Sequence, residues 1–156
     1  MQLTVPQAEF VERVGRYWEG WGQPRTAGRI LGWLMICDPP EQSSSALAVV
    51  LSVSAGSVST TTRQLHQMGL IDRVTFPGDR VSYFRLHDHV WLRVMEVRLE
   101  GIRGLHALAQ AGAEVRPTMR PDRVDELLDM TEFMLEEWPK LLERLPAHVG
   151  SRGAHQ

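Results

Sequence analysis

Apolar positions set the first reading of this chain. Between Pro6 and Trp21, the residues Phe10, Val14, Trp18 and Trp21 fall on one stripe, with Glu9, Glu12, Arg13 and Arg16 largely elsewhere. That spacing predicts an amphipathic helix over 6–21. Gly20, Gly22 and Pro24 interrupt the pattern, and residues 26–37 are apolar nearly all round, which predicts a core helix stopped by Asp38-Pro39-Pro40. Ser43, Ser44 or Ser45 can cap a short helix through Leu51, and Ser54 can cap the next, over 55–68, which Gly69 ends.

After Gly69 the period shortens. Residues 70–76 and 81–87 are β-branched and aromatic runs around Pro77-Gly78-Asp79-Arg80, and this predicts a β-hairpin. A helical pattern resumes over 88–113, where Val90, Val94, Val97 and Leu105 stand beside a second stripe of Trp91, Met95, Leu99 and Ile102. So wide an apolar face predicts contact with a second chain. Gly101 and Gly104 mark either a bend or a packing notch. Residues 116–121 read as a linker, 122–138 as a helix, and 140–145 as one further turn opened by Pro139; the tail 147–156 reads as frayed. Asp88 is placed to cap the helix that follows it.

The first specific chemistry lies in residues 46–65. Ala48 lets two helices approach, while Leu51, Val53, Val58, Thr61 or Thr62, and Leu65 fill a steep joint between them. This is a helix-turn-helix pattern, in which the second helix presents Ser57, Ser59, Thr60, Arg63 and Gln64 on its other face. Hydroxyls, an amide and one guanidinium suit phosphates and base edges. The hairpin then acts as a wing whose tip carries Arg80 to a minor groove or to flanking phosphates, with Asp79 placed to orient it. Ser52 stands where such turns favour glycine, so it must accept a positive φ or reshape the turn.

Composition sharpens this picture at a few points. The 156 residues are 43% hydrophobic and 23% charged, as in a folded chain of one domain. Net charge is −2, yet residues 55–87 carry four arginines against two aspartates, whereas 114–144 carry nine acids against five bases. A polyanion is therefore expected at the middle of the chain. No apolar run reaches the roughly 18 residues of a membrane span and no signal peptide opens the chain, so a cytoplasmic protein is expected. Cys37, the single cysteine, rules out an intrachain disulfide. His87 and His89 flank Asp88 without a third ligand, and there is no nucleophile elbow or phosphate loop. No metal, cofactor or catalytic set is expected, and so no enzyme.

The stretch Pro24-Arg25-Thr26-Ala27-Gly28-Arg29-Ile30-Leu31-Gly32, then Ser54-Ala55-Gly56-Ser57-Val58-Ser59, Arg63, Leu65, Gly69-Leu70-Ile71 and Pro77-Gly78-Asp79-Arg80, resembles the MarR superfamily, in particular its GbsR-like branch, over about residues 8–140. The resemblance implies a mainly α fold with a small β-hairpin wing (α+β). It forms a single domain over 1–156, with dimerisation helices at 6–21 and 88–145 and a winged helix-turn-helix over 25–87 (recognition helix 55–68, wing 70–87). It implies a homodimer on double-stranded DNA with recognition helices about 34 Å apart, usually a repressor relieved by a small-molecule effector. DNA contact is carried over to Ser57, Ser59, Thr60, Arg63 and Arg80, while Ala55 stands where relatives often have a basic residue. Betaine-related relatives respond to choline, and Trp18, Trp21, Trp33 and Trp91 are the candidate effector lining, through cation–π attraction. The alternative function is a winged helix used for protein contacts without sequence-specific DNA binding.

Overall fold

The helices of the N-terminal half begin at residues chemically suited to start them. Thr4 accepts from the Gln7 backbone N–H while the Gln7 side chain returns to the Thr4 N–H, a capping box that opens α1 (Val5–Glu19). Pro24 precedes α2 (Arg25–Leu34). Of the three candidate serines, Ser43 caps α3 (Ser44–Val50), through its hydroxyl and the Ala46 N–H, and Ser54 caps α4 (Ala55–Gln67) in the same way through Ser57. The structure, a computed structural model, describes residues 2–115 and 122–145, and its contacts separate into two units, Met1–Val90 and Trp91–Gln156.

In the first unit, α1 and α2 pack through glycines. A Cβ at Gly28 would lie 2.7 Å from the Val14 carbonyl oxygen and 2.8 Å from Gly15 Cα, so the two backbones meet where side chains would keep them apart. Val11, Ile30, Leu31, Trp33, Leu47, Leu51, Val58, Leu65, Leu70 and Ile71 are buried and form the core. The hairpin is present as β2 (Ile71–Val74) and β3 (Tyr83–Leu86), paired antiparallel from Ile71 opposite Leu86 to Val74 opposite Tyr83. A third strand, β1 (Gln42–Ser43), pairs with the other edge of β3 and was not predicted. Two residues are too few to show a period-2 pattern, and only the long-range partner makes them a strand.

The second unit holds α5 (Val90–Val115), which starts at the boundary, and α6 (Asp122–Arg144). Gly101 and Gly104 lie inside α5 without interrupting it, and a Cβ at either would meet nothing within 4 Å. The Thr131 hydroxyl gives its hydrogen to the Leu127 carbonyl at 2.8 Å, so His106 Nδ1, 2.9 Å away, is the donor to Thr131 across the α5–α6 pair.

Two expectations need correction. Pro139 does not end one helix and open another, because α6 runs through it to Arg144; Lys140 pairs with Glu136 at 3.0 Å and Glu137 at 2.7 Å, tying the turns across the missing N–H. Asp88 is not the residue before α5 either. The helix begins at Val90, and His89, at a φ of 62°, stands immediately before it. The expected linker 116–121 and tail 147–156 lie outside the described residues.

Candidate nucleic-acid interface

The chain bends by 117° between α3 and α4, close to the angle of helix-turn-helix pairs. The joint that makes this bend is a Schellman closure. The Val53 N–H bonds to the Ala48 carbonyl at 3.0 Å, and the Ser52 N–H to the Val49 carbonyl at 3.2 Å. Ser52 takes the left-handed conformation, with a φ of 51°, in the place glycine usually occupies, so the turn is kept and the serine accepts the strain. Leu51, Val58, Thr61, Thr62 and Leu65 are buried at the joint, and the Thr62 hydroxyl satisfies itself on the Val58 carbonyl at 2.8 Å.

With that side of α4 buried, its other side is open. Ser59, Thr60, Arg63 and Gln64 are exposed, and Ser57 is half-buried beside the cap. At the wing tip Arg80 is exposed, and among the described residues neither Arg63 nor Arg80 is held in an ion pair. Asp79 does not orient Arg80 as expected: its carboxylate accepts from the Val81 N–H at 2.9 Å and from the Tyr83 hydroxyl at 2.8 Å. These bonds, the backbone one first, hold the Asp79 carboxyl below its ordinary value, and the shared hydrogen bond pushes the Tyr83 phenol up. Gly78 supplies the positive φ of the turn and Phe76 packs edge-on to Tyr83, so the tip is braced and its arginine free.

Between α4 and the wing lies a cleft of about 240 Å³ lined by Ser44, Ser59, Thr62, Arg63, His66, Arg73, Ser82 and Phe84. Two guanidiniums, an imidazole and several hydroxyls converge there, a set that suits an anion such as a phosphate. Arg73 on β2 is held across the hairpin by two bonds to the Ser82 hydroxyl, at 2.9 and 2.6 Å. Sequence reasoning missed Arg73, His66 and Ser82 because strand register, not spacing along one helix, carries Arg73 and Ser82 to the recognition helix.

The four tryptophans of the expected effector lining fall in different surroundings. Trp33 is 1% exposed and gives its indole N–H to Gln42 Oε1 at 3.3 Å, and Trp18 is buried against the Gly28 backbone. Trp21 is 52% exposed and packs edge-on to Tyr17, while Trp91, in the second unit, is 45% exposed. Among the described residues there is no group of histidine, cysteine and acidic side chains able to hold a metal ion. Among them, too, no single helix is long and apolar enough to cross a membrane.

A steeply bent helix pair, an open polar face on its second helix and a hairpin carrying a free arginine define a winged helix-turn-helix protein, a class built to bind duplex DNA. The profile of the MarR family matches residues 21–80, and that of the MmpR5-like MarR family transcriptional regulator matches residues 89–148. The HTH-type transcriptional regulator MmpR5 of Mycobacterium tuberculosis (strain ATCC 25618 / H37Rv) is 40% identical over 129 residues, 81% of this chain and 78% of that protein. A crystal structure of a transcriptional regulator is 37% identical, with a TM-score of 0.80 over 91% of this chain and 99% of its own. The chain belongs to the MarR family: it is a DNA-binding transcriptional regulator and not an enzyme. The matched profile is the MmpR5-like one, where the sequence motifs pointed to the GbsR-like branch.

Proposed function

We propose that the chain acts in the cytoplasm as a homodimeric repressor, placing two copies of α4 in successive major grooves and two wings over the flanking backbone. The observation that carries this reading is the open face of α4 beside two exposed arginines, Arg63 and Arg80, which are in no ion pair among the described residues. Ser57, Ser59, Thr60, Arg63 and Gln64 face base edges and phosphates, Arg80 reaches the minor groove, and the cleft that holds Arg73 takes a backbone phosphate. Residues 6–21 and 88–145 form the dimerisation part of a single MarR-like domain. The exposed apolar side chains of the second unit, among them Leu108 and Phe133, support this. Within the family, the match over 89–148 favours the MmpR5-like group over the GbsR-like branch.

Relief of repression by a small molecule follows the same family logic; of the proposed lining residues Trp21 is 52% exposed in the first unit and Trp91 45% exposed in the second, each taken by itself. Trp33, buried and bonded to Gln42, belongs to the core in this reading.

The test is fluorescence anisotropy with DNA from the gene's own upstream region, against scrambled duplex, at two salt concentrations. The native fragment should be preferred. Arg63→Ala should weaken binding by roughly 1–3 kcal/mol, about 5- to 150-fold, and lower the salt dependence by about one counterion per site. Equal affinity of wild type and Arg63→Ala for that fragment would remove α4 from the interface.

A further inference from the structure

The carbonyl at the end of α3 is not left to water. Arg29, on α2, donates from Nη2 to the Leu51 carbonyl oxygen at 2.7 Å, at the residue just before Ser52 in the helix-turn-helix joint. The last carbonyls of a helix have no partner in the helix and carry its negative end, so a guanidinium is well suited to close one. The same guanidinium has a second partner. Its Nε lies 2.7 Å from Glu12 Oε1 on α1, an ion-pair contact rather than an aligned hydrogen bond. Glu12 in turn uses Oε2 to accept from Arg25 Nη2, also at 2.7 Å. Gly15 makes room for this group, since a Cβ there would lie 2.8 Å from Arg29 Cγ.

The result is one bridge, partly shielded, from the N-terminal helix through α2 to the turn that sets the direction of α4. The Arg29 side chain is 21% exposed and that of Glu12 34%. A surface ion pair between two flexible side chains contributes little. Here both ends are restrained, Glu12 by two arginines and Arg29 by a helix terminus, so the geometry rather than the charge is the product of the arrangement. The Leu51–Ser52 joint needs that restraint, because a serine held at positive φ leaves the turn without the ease a glycine would give it.

We propose that Arg29 is a positioning residue for DNA recognition: oriented by Glu12 on α1, it fixes the carbonyl that ends α3 and so sets the angle at which α4 is presented. Any displacement of α1 relative to α2 is then passed to the turn by a charge-assisted contact. The proposal rests on α4 as the DNA-reading helix, but its structural half can be measured without DNA.

The experiment compares the full-length protein with Glu12→Gln and Arg29→Lys. Hydrogen exchange is followed at the Ser52 and Val53 amides, and discrimination is followed between a duplex selected by the wild type from a random pool and its scrambled form. Glu12→Gln removes the charge that orients Arg29, and with it the ion pair to Arg25, while leaving the Arg29 side chain itself in place. It should speed exchange at those two amides about ten-fold, with the middle of α2 unchanged, the size expected from weakening one charge-assisted bond. Discrimination should fall by a similar factor while the salt dependence of scrambled-duplex binding stays the same. Arg29→Lys should behave alike, since an ammonium cannot offer two nitrogens to two acceptors in fixed directions. Wild-type exchange at the turn, or a uniform rise across the first unit, would overturn the proposal; so would a loosened turn with undiminished discrimination. If the wild type selects no duplex, the reading of α4 fails instead, and turn exchange alone decides the link.

Discussion

Ser52 shows how much a single residue can carry at this joint. An L-residue in the left-handed region costs about 1–2 kcal/mol, while a glycine there loses roughly 0.4–1 kcal/mol through its freer unfolded chain. The first term wins, and among the described residues the Ser52 side chain makes no hydrogen bond that would be lost. Ser52→Gly should therefore stabilise the protein by about 0.5–1 kcal/mol, a rise of roughly 1–4 °C in Tm by calorimetry. Glu12 gives a second expectation. Burial pushes its carboxyl up, but the hydrogen bond from Arg25 and the charge of Arg29 outweigh this and hold it below its ordinary value. A carboxyl lowered by folding stabilises above its unfolded pKa of about 4.3 and loses that contribution as pH falls through the folded value. Glu12→Gln should flatten the acid limb of Tm against pH below that point and leave its neutral shape unchanged. An acid limb identical to wild type would place the titrating group elsewhere. That Ser52 occupied a glycine position was legible in the sequence; that it keeps the turn was decided by the two closing bonds around it.

At the scale of elements, the α1–α2 pair is built on contact between backbones. Alanine at Gly28 would gain about 1 kcal/mol in helix propensity. Its Cβ, however, would press on the Val14 carbonyl and on Gly15 Cα, and neither can swing aside. Overpacking of this kind costs about 1–3 kcal/mol or more, so the clash wins. Gly28→Ala should lower the midpoint of urea unfolding and, through Arg29 next to it, disturb the turn; an unchanged midpoint would mean that the helices separate freely. The elements themselves were largely legible, α4 to within a residue and the hairpin with its turn, because 3.6- and 2-residue periods and serine caps are local signals. The strand β1 was not, since it depends on a partner strand far along the chain, and the run of α6 through Pro139 was not, since a proline removes one N–H without ending a helix whose neighbouring turns are tied by side-chain pairs.

The whole molecule raises the question of its second copy. Leu108, Met130, Phe133 and Leu141 are half exposed or more on α5 and α6, a costly arrangement for an isolated chain in water. Light scattering should return twice the 17.7 kDa of one chain. Phe133→Glu should shift that mass toward the monomer and reduce DNA affinity more than ten-fold, because a lone winged helix keeps only half of the phosphate contacts. A Phe133→Glu dimer of full affinity would place the self-contact on another surface.

What the sequence determined by itself is what short range decides. Helix periods, capping serines, the glycine turn and the open polar face of α4 sufficed for a winged helix-turn-helix and for Arg63 and Arg80 as two of its exposed cations. Tertiary structure alone decided what depends on distant meetings. Arg29 reaches a carbonyl 22 positions away, Arg73 enters the cleft beside α4 by strand register, and Trp33 spends its indole N–H on buried Gln42. The physical reason is that periodicity assigns a side chain to a face, whereas a directional bond needs its partner within about 3 Å, and only the packed chain sets that distance.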